Sequence, residues 1–136
     1  MAEFSVPPNG TICWRELTAQ NVDAAKAFYG ELLGWNLEQS KITPMPYTEI
    51  HLDGEAIGGM MKIDEQWGDG WENIPPHWMT YIAVDNCDQT VEKIKENGGT
   101  VCVPPFDAPG VGRIAVAGDP SGAAFSVIEF AAPPAE

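Results

Sequence analysis

Apolar side chains recur at helical spacing in two places along this chain, and short apolar runs that read as strands flank both. Val22, Ala25, Phe28, Tyr29, Leu32 and Leu33 share one face of a predicted helix that Gly34 stops. Cys87, Val91, Ile94 and Gly98 form a narrower stripe, with Glu92, Lys93, Lys95 and Glu96 turned to water. Asn21 and Asn86 stand where a side-chain oxygen can cap a first turn, and Asp23 and Asp88 follow where negative charge suits the helix dipole.

The predicted strands fall at 11–17, 35–40, 46–52 and 55–63 around the first helix, and at 77–84, 100–103, 112–118 and 123–130 around the second. Turn signals at Thr43-Pro44, Asp53-Gly54, Pro104-Pro105, Ala108-Pro109-Gly110 and Asp119-Pro120-Ser121-Gly122 separate them, and Gly110-Val111-Gly112 reads as a hairpin turn. The order is strand, helix, three strands, given twice, so the expected organisation is a βαβββ module over 10–64, a linker over 65–76, a second module over 77–130, and tails at 1–9 and 131–136. The linker holds Trp67 and Trp71, expected to cover the linker or a module edge, with a lid or dimer contact as the other reading.

Composition narrows the partners. Twenty acidic against seven basic residues give a net charge of −13, which opposes nucleic acid and anionic membrane. No apolar run is long enough for a membrane span and no secretory signal precedes the first strand, so a soluble, cytoplasmic protein is expected. Cys13, Cys87 and Cys102 are odd in number and widely spaced, which fits buried thiols in a reducing compartment.

The repeated module, with Ala25-Lys26-Ala27-Phe28-Tyr29-Gly30-Glu31-Leu32-Leu33-Gly34-Trp35 on its first helix, His77 to Asp85, Gly98-Gly99-Thr100-Val101, and Asp119-Pro120-Ser121-Gly122 before the last strand, resembles the vicinal oxygen chelate superfamily of glyoxalases, extradiol dioxygenases and bleomycin resistance proteins. It is similar above all to bacterial glyoxalase-like proteins that carry a hydroxylase label and are related to a mycobacterial antigen. The resemblance implies an α+β fold in which tandem βαβββ modules form a curved mixed sheet enclosing a cleft, and a homodimer.

In the metal-dependent members the ligands are His or Gln, Glu, His and Glu on the first and last strands of each module. Carried onto this chain, those positions fall on Trp14, on the Gly59-Met60-Met61 span, on Met79 and on Ser126. An indole nitrogen donates only, and a thioether suits soft ions, so these are poor ligands. His77 stands two positions early, about 6–7 Å along the strand, which a coordination sphere does not absorb. A substitute set of His51, His77, Glu16 and Glu129 fails on parity at Glu129, and neither a metal nor another cofactor is expected.

Strand alternation then gives the expected cleft lining: Trp14, Glu16, Met79, Tyr81, Ser126 and Ile128, with Met61 from the fourth strand. Aromatic rings, thioethers and few polar groups suit a small apolar or aromatic ligand. A buried Glu16 needs a partner or a ligand donor, and Arg113 either faces it or lies on the solvent face. Were there catalysis, Glu16 would be the general base. The competing reading is a divalent-metal lyase or dioxygenase with a non-standard ligand set. No Ser-His-Asp order, nucleophile elbow or phosphate loop is present.

Overall fold

A computed structural model of the chain describes residues 6–41, 46–65 and 68–131. The turn expected at Thr43-Pro44, Trp67 and the last five residues lie outside them. The elements run β1 (Ile12–Ala19), α1 (Val22–Leu33), β2 (Asn36–Gln39), β3 (Thr48–Leu52), β4 (Glu55–Lys62), β5 (His77–Ala83), α2 (Cys87–Glu96), β6 (Thr100–Ala108), β7 (Gly112–Gly118) and β8 (Ala124–Phe130). The doubled strand, helix, three strands order is therefore present, as a mixed α+β fold. Among the described residues no helix is long and apolar enough to cross a membrane.

Contacts divide the chain into two compact units, one of Trp14–Met79 and one of the residues before Trp14 together with those from Thr80 onward. Strands of the first unit follow the order β2-β3-β4-β1, with β1 and β4 parallel and the other pairs antiparallel. Those of the second follow β5-β8-β7-β6, with β5 and β8 parallel. Gly10 and Thr11 belong to the second unit because they bracket Ala83, through Gly10 N–H to Ala83 O at 2.7 Å and Ala83 N–H to Thr11 O at 2.8 Å.

Local chemistry sets the helix ends. Asn21 Oδ1 accepts from Ala24 N–H at 3.0 Å, Asn86 Oδ1 accepts from Gln89 N–H at 2.9 Å, and Gly34 ends α1 in the left-handed region. Packing of α1 differs from the expectation. Val22, Ala25 and Tyr29 pack on a core of Leu17, Ala19, Ile50 and Met60, but Phe28, Leu32 and Leu33 are exposed. Six apolar positions span more of a helix than one sheet face covers, and the face nearer Val22 takes the core. Tyr29 instead stacks on Trp35 with ring centroids 5.4 Å apart and meets Trp78 edge-on at 5.5 Å.

In the second unit Cys87 and Val91 of α2 pack on Ala115 and Val127, with Val84 completing the cluster. Burial pushes the Cys87 thiol up to about 11, helped by the adjacent Asp88, so it stays protonated. Cys13 is half-buried, but Cys102 is exposed, contrary to the reading of all three as buried thiols. Pro104-Pro105 does not end β6 as expected. The strand runs on to Ala108 with register shifts against β7 on either side of Val103, which an edge strand tolerates.

The connection before β5 is fastened at one point. Gln20 Nε2, just past β1, reaches the carbonyl oxygens of Trp71, Glu72 and Ile74 at 3.1, 3.0 and 3.3 Å, holding a short 3-10 turn over Trp71–Asn73 in which Trp71 is half-buried. Gln20→Ala is expected to cost about 1 kcal/mol in urea unfolding and to speed proteolysis within 68–76. Unchanged stability and cleavage would refute this role.

Candidate functional site

In each unit the helix covers one face of the strands, and alternation assigns the other. In the first unit Leu17, Ala19 and Met60 face α1, so Trp14, Glu16 and Thr18 of β1 point away from it. The β1–β4 register pairs Glu16 with Gly59 and Thr18 with Met61, which places Gly59 and Met61 on that helix-free face and Met60 in the core. Glu49 of β3 pairs with Gly59 and shares the face, as does Tyr47 two residues before it.

Tyr47 is the residue that sequence reasoning missed. Its hydroxyl accepts a hydrogen bond from Trp14 Nε1–H at 2.9 Å. Its ring lies across Gly59, where a Cβ would stand 1.9 Å from the hydroxyl oxygen and 2.3 Å from the ring carbon bearing it. A glycine inside a strand signals close approach of another group, and Gly58-Gly59 carried that signal. Glu16 beside this pair is 7% exposed, so a carboxylate sits in a largely dry place. Further along the face His51 Nε2 meets Glu49 Oε1 at 3.0 Å, which commits His51 to a carboxylate neighbour.

In the second unit Ala115 and Val127 face α2, so Ser126 and Ile128 point away from it. Ser126 pairs with Tyr81 on β5 and with Val116 on β7, and Ile128 pairs with Ala83 and Ile114, all on the helix-free face. Met79, the last residue of the first unit, has the same parity on β5 as Tyr81 and is buried. The polar groups of this face are Tyr81 and Ser126, with His77 and Thr100 at its margins. Ser126 is fully buried, and its Oγ makes no hydrogen bond among the described residues. Buried hydroxyls are almost always paired, so this one calls for a polar partner, a buried water or a ligand group.

Arg113 is not part of either helix-free face. It shares the parity of Ala115, its Nε donates to Asp88 Oδ1 at 3.1 Å and its Nη1 donates to Asp107 Oδ1 at 3.0 Å. Those bonds, first to Asp107 and then to Asp88, push its pKa further up. This placement is the second of the two positions expected for Arg113, away from Glu16, and its two aspartates tie the start of α2 to β6 and β7. Glu129, opposite Arg113, accepts from Cys87 N–H at 2.8 Å and so caps the same helix, in keeping with its opposite parity to Ser126.

The donor set does not fit a metal of the glyoxalase kind. Trp14 spends its only N–H on Tyr47, Met79 offers a thioether, Ser126 offers a neutral hydroxyl, and Gly59 offers nothing. Glu129 is turned to the helix, and His77 Nδ1 lies 2.9 Å from Pro75 O at the start of β5. Among the described residues no three His, Cys, Asp or Glu side chains gather where they could hold a metal ion.

Paired βαβββ units with a helix on one face and candidate ligand groups on the other define a protein of the vicinal oxygen chelate class. The Glyoxalase/Bleomycin resistance protein/Dioxygenase superfamily model matches residues 11–127, and the chain belongs to that superfamily. Among curated relatives it is 38% identical over 120 residues to the "Putative glyoxylase CFP32" of Mycobacterium bovis, covering 85% of this chain and 44% of that protein. It is 32% identical over 130 residues to the anthracycline biosynthesis protein DnrV of Streptomyces peucetius, covering 87% and 46%. The chain thus spans about half the length of these relatives. Among solved structures, methylmalonyl-CoA epimerase from Mycobacterium tuberculosis matches with a TM-score of 0.60 at 16% identity, covering 97% of this chain and 94% of the other. The hypothetical protein BH1468 of Bacillus halodurans matches with a TM-score of 0.64 at 13% identity, covering 93% and 99%. At such identities the likeness is one of fold.

Proposed function

We propose that this chain is a metal-free, cytoplasmic binding protein, assembled as a homodimer, that holds a small apolar or aromatic molecule in the inter-sheet cleft expected of its fold. The orphan hydroxyl of Ser126 carries this reading. A fully buried hydroxyl without a partner costs about 1–3 kcal/mol, and a ligand that displaces the side chains covering it recovers that cost. On its own helix-free face the second unit offers Tyr81 and Ile128 beside Ser126 in the register of its strands, and on its own the first unit offers Trp14, Glu16, Tyr47, Met61 and Met79. Glu16 accepts from a ligand hydroxyl or amine and is the group through which any proton transfer would run. The relatives named for anthracycline biosynthesis are in line with a planar aromatic ligand.

The test is a melting-shift screen against a panel of anthraquinones, followed by titration. A compound that stabilises the wild-type chain should bind about tenfold or more weakly to Ser126→Ala and to Glu16→Gln. Without ligand, Ser126→Ala should melt about 3 °C or more above wild type, because it removes an unsatisfied buried group. A lower melting temperature for Ser126→Ala, or stoichiometric divalent metal in protein purified without a histidine tag, would overturn the proposal.

A further inference from the structure

A cavity of about 490 Å³ opens in the first unit where the carboxyl ends of the parallel strands β1 and β4 meet the start of α1. Such strand ends are where open sheets with helical crossovers commonly take ligands, and the volume is that of a small-molecule site. It takes in Tyr47 but neither Trp14 nor Glu16, so it is not the helix-free face described above. Lys26 and Lys62 line it together with Asp23, Gln39, Thr48 and Met60.

Arg113 pairs with Asp88 and Asp107 and Lys95 with Glu92, whereas the other five basic residues form no ion pair among the described residues. Among the described residues neither Lys26 nor Lys62 forms an ion pair, although Asp23 precedes Lys26 by one helical turn. Two lysines against the one carboxylate of Asp23 leave the lining with one net positive charge, set in a molecule of net charge −13. The surrounding field repels anions, so an anion held here is held by local charge.

We propose that this cavity binds a small organic monocarboxylate, its carboxylate between Lys26 and Lys62 and its apolar body against Val22 and Met60. A monoanion matches the single net charge of the lining. A phosphate dianion would meet Asp23 with charge to spare.

Titration of the full chain with sodium benzoate, benzamide and inorganic phosphate, followed by amide chemical shifts, tests this. Benzoate should saturate and shift residues 20–26 and 60–62, and benzamide of equal shape should bind at least about fivefold more weakly. Lys26→Gln and Lys62→Gln should each weaken benzoate about threefold to fivefold, and the pair at least about tenfold, with melting temperature held. Arg15→Gln, which removes an exposed charge elsewhere, should leave the affinity within about twofold. Equal binding of benzamide, tighter binding of phosphate, a double variant within about twofold of wild type, or no benzoate binding up to about 20 mM would overturn the assignment.

Discussion

Gly112→Ala is expected to lower unfolding stability by about 3 kcal/mol or more, enough to remove much of the margin of a small domain. Gly112 opens β7 with φ of 155°, a conformation that side chains rarely adopt. A Cβ built there would lie 2.3 Å from Glu129 O, 2.9 Å from Phe130 Cα and 3.0 Å from Ala131 N. All three are backbone atoms of β8 or of the residue that follows it, so relief requires parting β7 from β8 rather than turning a side chain. The same parting would disturb the Glu129 carboxylate that caps α2. Urea unfolding followed by far-ultraviolet circular dichroism reads the effect, and a loss below about 1 kcal/mol would show that the close approach is not a real constraint.

Gly59→Val should cost about 2–3 kcal/mol and act on the candidate site as well as on stability. The new side chain would occupy the space of the Tyr47 ring, which must leave with its hydrogen bond to Trp14. An indole N–H then loses its partner in a half-buried place. Urea unfolding should show the loss, and the emission of Trp14, separated by comparison with Trp14→Phe, should change. A variant that keeps wild-type stability and emission would mean that Tyr47 does not hold Trp14. A ligand bound at the helix-free face should in addition lose about tenfold in affinity, because one wall of its site has moved.

What the sequence made legible follows the range of the interactions concerned. Helix ends at Asn21, Gly34 and Asn86 were readable because a cap is settled within a few residues. The facing of Trp14, Glu16, Tyr81, Ser126 and Ile128 was readable because a strand alternates with period two whatever lies beside it. The exposure of Phe28, Leu32 and Leu33 was not, since it depends on how much of α1 the sheet can cover. Nor were the partners of Arg113, which arise from the register of β7 against β6 and from the placing of α2. Tyr47 escaped because its role is defined by the hole at Gly59 on a different strand, and a side chain filling another residue's place leaves no periodic trace.

The two prolines inside β6 bear on how this protein behaves at high concentration. β6 lies at the end of its run of strands, where free N–H and C=O groups would otherwise invite a stranger's backbone. Pro104 and Pro105 lie within the register shift between Val103 and Phe106, and neither can donate. A second chain trying to zip onto this margin loses a rung there and meets the shifted register on either side of Val103. Fibril growth by strand addition is thereby discouraged at this margin by the covalent chain itself, at any salt concentration that would screen the −13 charge.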